Sequence, residues 1–367
     1  MHHPCRPSCL LLVCIATASA LLAAVASAQV PTVLSDNHYT LSNQTRVLES
    51  AEQHVQAGEL DAAEIAFRQA FESVRADQGL FHEAQLPVLD RLLATNLARR
   101  DWQQFNHYLD YHGALAQRMY QGQPVRHALA LETAADWHQR AALILNDELR
   151  TWHLIRSRNL IWQAVSALEQ TPDGQPRLAP LLYRIAILHY YLTTEASIRG
   201  LTSLEVRTDQ AARVSGWSMS GNEATRRSYA VGQELLQRIH DMHASEPDNV
   251  STLAQIDTLL GDWQLLFGRE ELARDYYRRA YQALRAEPGA APVIEQLFAT
   301  RVTLPAPYAA RSATTPLPDG YAGGDGSGDS VAAVLASMNT TGRQLRPQLT
   351  DDFFTEDHQH EFDQVSR

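Results

Sequence analysis

Residues Gly261–Leu284, GDWQLLFGREELARDYYRRAYQAL, decide the fold. They read as the end of one helix, a tight turn at Gly268, and a second helix that returns antiparallel to the first. On that second helix Leu272, Tyr276, Ala280 and Leu284 share a stripe, with Ala273 and Tyr277 beside it. Arg274, Asp275, Arg278 and Arg279 take the opposite side. The small alanines admit a neighbouring helix closely, and the tyrosines fill the space between. Glu270 and Glu271 open the helix, where its positive end favours carboxylates.

The same spacing recurs far upstream. Gly58, Ala63, Phe67 and Ala70 repeat the offsets of Gly268, Ala273, Tyr277 and Ala280. A helix over Asp36–Gln56 leads to Gly58, and Leu60–Val74 follows with an apolar stripe of Leu60, Ala63, Phe67, Ala70 and Phe71. Glu64 and Arg68 form a supporting pair one turn apart. Two hairpins of one spacing imply that the intervening chain is built of hairpins too. Glu83–Arg99 pairs with Trp102–Met119 across Arg100-Asp101, where Asp101 is placed to cap the second helix. Here Phe105 stands where a small residue is expected, and the glycine-equivalent lies about 42 residues after Gly58. Leu129–Leu145 and Leu149–Leu168 make a third pair, closed by the turn Thr171-Pro172-Asp173-Gly174. Leu178–Thr194 and Glu223–His243 make a fourth, and Pro247-Asp248-Asn249 starts a fifth.

Two segments break the pattern. Residues 197–222 are too long and too rich in Ser, Thr and Gly for an ordinary helix connection. The plainer reading is a decorative insertion; a ligand-contacting loop would reach with Arg207, Arg213 and Trp217. Residues 301–330, a run of Pro, Ala, Gly, Thr and Asp without periodicity, read as a flexible linker. Beyond it, Val331–Met338 and Gln344–Leu349 read as short strands around Asn339-Thr340-Thr341-Gly342, and Glu356–Arg367 as a helix, giving a small α+β fragment over 331–367.

Composition bounds the function. Residues 1–28 carry one arginine, an apolar run from Leu10 to Val25 and the small-x-small site Ala26-Ser27-Ala28, so we expect a signal peptide cleaved after Ala28 and a periplasmic protein without a membrane span after cleavage. Cys5, Cys9 and Cys14 all fall in that segment, which leaves the mature chain without disulfides, thiolate metal sites or cysteine nucleophiles. The 367 residues contain no lysine, which removes the Schiff-base lysine and the phosphate-gripping lysine of nucleotide-binding loops. A formal net charge of −11 speaks against non-specific nucleic-acid binding.

Chemistry finds little support in the motifs. His240 and His243 share a helix face but need a third metal ligand such as Glu246. His107 and His112, and His358 and His360, have less useful spacing, and surface histidines are the expectation for all. Ser327 lacks the glycine two residues earlier that a nucleophile elbow needs, and Asp325 and Asp329 lack the terminal glutamate of a calcium loop. We therefore expect no catalytic residues, no metal and no cofactor.

The glycine, alanine and aromatic offsets around Gly261, Gly268, Ala273, Tyr277 and Ala280 resemble the tetratricopeptide repeat. With GDWQLLFG and the Gly58 hairpin, residues 29–300 resemble exported tetratricopeptide-like proteins of gammaproteobacterial type, a group that brings no activity with it. The resemblance implies an all-α fold: a solenoid of about five antiparallel helix pairs, each burying its apolar face on the next. It also implies that the first helix of each pair lines a groove, and the matching positions are Glu52, Asp90, Asp136, Arg140 and Asp262. Being mostly acidic, such a groove would favour a basic or polar segment of a protein or peptide partner in the cell envelope, with no nucleotide or nucleic acid involved. The strand-turn-strand-helix order of 331–367 resembles the start of the carboxy-terminal domain of TonB-type energy transducers, without its closing strand. The expected function is a non-catalytic interaction scaffold; the alternatives are an accessory or enzymatic factor acting on an envelope polymer, and an energy-transduction partner.

Overall fold

The computed structural model describes residues 34–145, 148–199, 221–245, 249–299, 301–306, 308, 345–346 and 349. These are almost entirely helical, and the fold is all-α. The segment expected to be a signal peptide, Arg207, Arg213 and Trp217 of the insertion, and most of the carboxy-terminal fragment lie outside the described residues. Among those described, no helix is long and apolar enough to cross a membrane. The chain divides into two compact units between Val74 and Arg75.

The first unit is a helical hairpin, α1 (Leu34–Gln56) and most of α2 (Leu60–Gln78). Gly58 makes the turn at φ +76°: its N–H reaches Val55 O at 3.0 Å and the Glu59 N–H reaches His54 O at 2.9 Å. That pair of bonds closes a left-handed helix end, for which glycine has no steric cost. Ala63, Phe67, Ala70, Phe71 and Val74 are buried along α2, and Arg68 lies 3.9 Å from Glu64.

The second unit contains α3 (Gln85–Arg99), α4 (Trp102–Met119), α5 (Pro124–Ile144), α6 (Glu148–Leu168), α7 (Gln175–Arg199), α8 (Gly221–Ala244), α9 (Val250–Leu266), α10 (Glu270–Ala286) and α11 (Ala291–Phe298). Each packs on its neighbours in sequence. The α3–α4 turn uses the bond pattern seen at Gly58, with Arg100 in the left-handed region at φ +57° and the Asp101 N–H bonded to Asn96 O at 3.0 Å. Asp101 then caps α4, accepting from the Gln104 N–H at 3.1 Å. At Gly268, φ is +71° and the Arg269 N–H reaches Gln264 O at 2.9 Å, so the α9–α10 turn is built the same way.

The main core is formed by α5 to α9, with Leu154, Ile155, Leu182, Ile185, Leu236, Ile239, Leu260 and Trp263 among its buried side chains. Each such side chain contributes about 1.5–3 kcal/mol on leaving water. A smaller cluster joins Ala254, Ala273, Tyr277, Ala280, Leu284, Phe298 and Leu349. On α10 the buried stripe is Ala273, Tyr277, Ala280, Tyr281 and Leu284, whereas Leu272 is exposed; the face turned inward is rotated slightly from the one that periodicity suggests. Gly261 lies within α9 where a Cβ would meet the Tyr277 ring at 2.6 Å, so only glycine lets that ring close over the helix.

After α11, two short strands pair antiparallel: β1 (Val302–Thr303) with β2 (Leu345–Arg346). Leu304 and Ala306, which composition places in the linker, are buried in the main core. β2 falls within the expected strand over Gln344–Leu349, and its partner is β1; the expected strand over Val331–Met338 is outside the described residues.

Candidate functional site

The first helices of the successive pairs carry a chain of polar contacts. On α3, the Asp90 carboxylate accepts the Trp137 indole N–H of α5 at 2.9 Å. The Arg140 guanidinium stacks over the Trp137 ring at 4.8 Å, a cation–π arrangement. Asp136, one residue before Trp137, pairs with Arg184 of α7. Glu132, one turn earlier on α5, accepts from Arg177 with both oxygens at 3.1 Å. Burial pushes the Glu132 carboxyl up, against the pull of Arg177 and Arg184. These residues lie on consecutive turns because 132, 136 and 140 repeat at four-residue spacing on α5, as 177 and 184 do at seven on α7.

Asp262 ends in a different setting. It is almost fully buried on α9, and Arg346 of β2 forks onto it, with Nε donating to Oδ1 at 2.7 Å and Nη2 to Oδ2. The third guanidinium nitrogen, Nη1, donates to Leu297 O at 3.0 Å. Tyr277 donates its hydroxyl to Asp262 Oδ1 at 2.8 Å. Nearby, the Leu349 N–H donates to Phe298 O at 3.0 Å, and Leu349 sits in the cluster with Tyr277 and Phe298. Burial would push the Arg346 guanidinium down, but the Asp262 carboxylate and its hydrogen bonds hold it above its ordinary value. Burial and the Asp262 charge together push the Tyr277 and Tyr183 hydroxyls up, so both stay protonated donors; Tyr183 donates to Ala306 O. This is a seat for one guanidinium, built from a carboxylate, a backbone carbonyl and a tyrosine that orients the carboxylate.

Of the five expected groove positions, Asp90 and Arg140 thus meet at Trp137, Asp136 pairs with Arg184, and Asp262 forms the separate seat filled by Arg346. Glu52 is half-buried on α1, in the first unit. The acidic members within the second unit are each met by a donor from elsewhere in that unit, Asp90 by an indole and the other two by arginines.

The histidines do not all lie on the surface. His112 is buried on α4, and burial lowers it to about 4. Sequence reasoning passed over His138 and His153, whose Nδ1 atoms lie 2.8 Å apart in the α5–α6 interface, beside a buried hydrogen bond from Gln139 to Ser157. Burial, then the nearby His153 and Arg156, hold His138 well below its ordinary value. A hydrogen bond between the two rings, with His138 neutral, therefore lies within the core. His153 also meets Trp102, Trp152 and Phe105, the last filling the position where a small residue was expected. His240 lies 3.8 Å from Asp257, which is itself forked by Arg279, while Glu246 is outside the described residues. Among the described residues no three His, Cys, Asp or Glu side chains converge to hold a metal ion. A depression of about 660 Å³ beside α8 is lined by Tyr229, Gln233, Gln237 and Arg238, all from that one helix.

Sequence reasoning also missed Arg346. The one available signal was Asp262 itself, a carboxylate between Leu259-Leu260-Gly261 and Trp263, which in so apolar a stretch has to find a partner. No protein-family model matches the sequence, and no curated protein matches it.

Proposed function

We propose that the chain is a periplasmic interaction scaffold, non-catalytic, in which tetratricopeptide-like helix hairpins stack as a solenoid and present the first helix of each pair to a protein or peptide partner. The observation that carries this reading is the Asp90–Trp137–Arg140 constellation, with the Asp136–Arg184 and Glu132–Arg177 pairs beside it on α5 and α7. The Trp137 ring is buried, hydrogen-bonded by the Asp90 carboxylate and covered by the Arg140 guanidinium, so it fixes half-buried Arg140 as a preorganised group for a partner. The left-handed turns at Gly58, Arg100 and Gly268 support the hairpin repeat, since one local device serves three connections. Because the carboxylates at Asp90, Asp136 and Asp262 are each already engaged, a partner's basic group would have to replace a resident donor there, and the signal peptide expected over residues 1–28 would put the encounter in the envelope.

The test is site-specific photo-crosslinking in intact envelopes. A crosslinker replacing Arg140 is expected to trap a discrete partner, whereas one at the exposed Leu272 of α10 is not. Equal patterns from the two positions, or none from Arg140 in the correctly exported protein, would overturn the scaffold reading.

A further inference from the structure

We propose that the Asp262 seat is an exchangeable receptor for an extended segment in which an arginine is followed three residues later by a leucine, and that Leu345-Arg346 and Leu349 of this chain occupy it as a built-in competitor. This deepens the scaffold reading and rests on it: the trans occupant is a partner protein's segment of the same chemistry.

Four observations specify the occupant. Arg346 is 3% exposed, and all three of its guanidinium nitrogens donate, two to Asp262 and one to Leu297 O. A lysine, with a single point charge, cannot make that planar fork. The Leu349 side chain enters the apolar cluster of Tyr277 and Phe298 while its N–H takes Phe298 O, so a second anchor lies three residues on. Leu345 and Arg346 lie extended against Val302 and Thr303, the strand-addition mode by which extended peptides dock on an exposed edge. In sequence 36 residues separate Tyr308 from Leu345 of the segment, and its described backbone pairing is a two-residue ladder. Covalent connection gives it an advantage over a free segment, and a partner must exceed that advantage to displace it.

The groups of the seat belong to helices outside the segment. Asp262 stands on α9, Tyr277 on α10, and the two accepting carbonyls end α11. On this proposal, removing the Arg346 fork leaves the Asp262 carboxylate with its Tyr277 donor and open to another guanidinium.

The experiment uses the full chain and a fluorescent peptide of residues 344–350, Gln-Leu-Arg-Pro-Gln-Leu-Thr, read by anisotropy. The Arg346→Ala chain is expected to bind the peptide saturably, and the wild-type chain at least about tenfold more weakly, because its own segment competes. Replacing the peptide's arginine with lysine, or adding Asp262→Asn to the Arg346→Ala chain, is expected to abolish binding. If Arg346→Ala loses its helical circular dichroism, the Arg346→Lys chain, which keeps the charge but not the fork, serves in its place and is expected to bind likewise. Absence of binding to a folded vacated chain, equal binding to wild type, or binding that survives Asp262→Asn would overturn the receptor. Concentration-dependent dimers of the wild-type chain that Arg346→Ala abolishes would overturn the partner assignment in favour of a second copy. Loss of the Arg140 crosslink with retained peptide binding would instead fault the scaffold reading and leave the seat standing.

Discussion

Acidification should weaken this fold, and His112 allows the effect to be worked for one proton. His112 is 1% exposed on α4, its Nδ1 has no hydrogen-bond partner among the described residues, and burial lowers it from 6.5 to about 4. Above pH 6.5 the side chain is neutral in both folded and unfolded chains and contributes nothing to pH dependence. As pH falls through 6.5 the unfolded chain takes up a proton that the folded chain refuses until about pH 4, so stability declines across that window. At about pH 5 the difference amounts to about 2 kcal/mol, approaching about 3 kcal/mol at about pH 4. His189, lowered to about 3 by burial and then by Arg158 and Arg227, and His138 act in the same direction. The wild-type decline should accordingly be steeper than one proton per molecule. Urea unfolding followed by far-UV circular dichroism, repeated from about pH 7.5 to about pH 5, measures it. His112→Leu, close in volume and unable to ionise, should remove about 2 kcal/mol of that decline whatever its effect at neutral pH. A variant whose stability falls with pH as steeply as the wild type would refute the assignment of this proton to His112.

Two further predictions concern the backbone. Arg100 is exposed and holds φ +57°, a conformation that costs a side chain about 1 kcal/mol, so Arg100→Gly should raise stability by about 0.5–1 kcal/mol in urea titration. A destabilised variant would mean that the Arg100 side chain, rather than the turn geometry, matters there. Glycine to alanine should have opposite signs at two helical sites: Gly113 on α4 faces open space and should gain about 0.5–1 kcal/mol, whereas at Gly261 the new methyl meets the Tyr277 ring and should lose about 1–3 kcal/mol. Matching thermal shifts in the two variants would contradict the close α9–α10 approach.

What could be read from the sequence divides along the range of the forces involved. The turns at Gly58 and Gly268 and the cap at Asp101 were legible because each depends on a few consecutive residues: a left-handed φ, two backbone bonds, one carboxylate beside an N–H. Trp102–Met119 is a helix over the residues expected, since cap and periodicity agree there. Helix α11 was not legible; Ala291–Phe298 is short, has no side-chain cap, and owes its place to Leu297 and Phe298 packing on residues distant in sequence. His138 and His153 were missed for the same reason, because nothing local distinguishes a histidine that will meet another across a helix interface from one on the surface.

The groove positions show where the two ranges meet. Repeat offsets can assign a residue to a helix face, but whether its charge is open or already paired depends on what arrives from the next helix or from much further along the chain. Asp136 meets Arg184 48 positions away, and Asp262 meets Arg346 84 positions away. A face that reads as acidic therefore folds as a set of carboxylates already engaged, and a basic segment reaching Asp262 gains only by replacing Arg346. Bidentate exchange of this kind keeps the buried carboxylate paired before and after, so it avoids the roughly 3–5 kcal/mol penalty of leaving one partner buried and alone. The difference between occupants is then carried by the flanking contacts that Leu349 and the β1 edge provide.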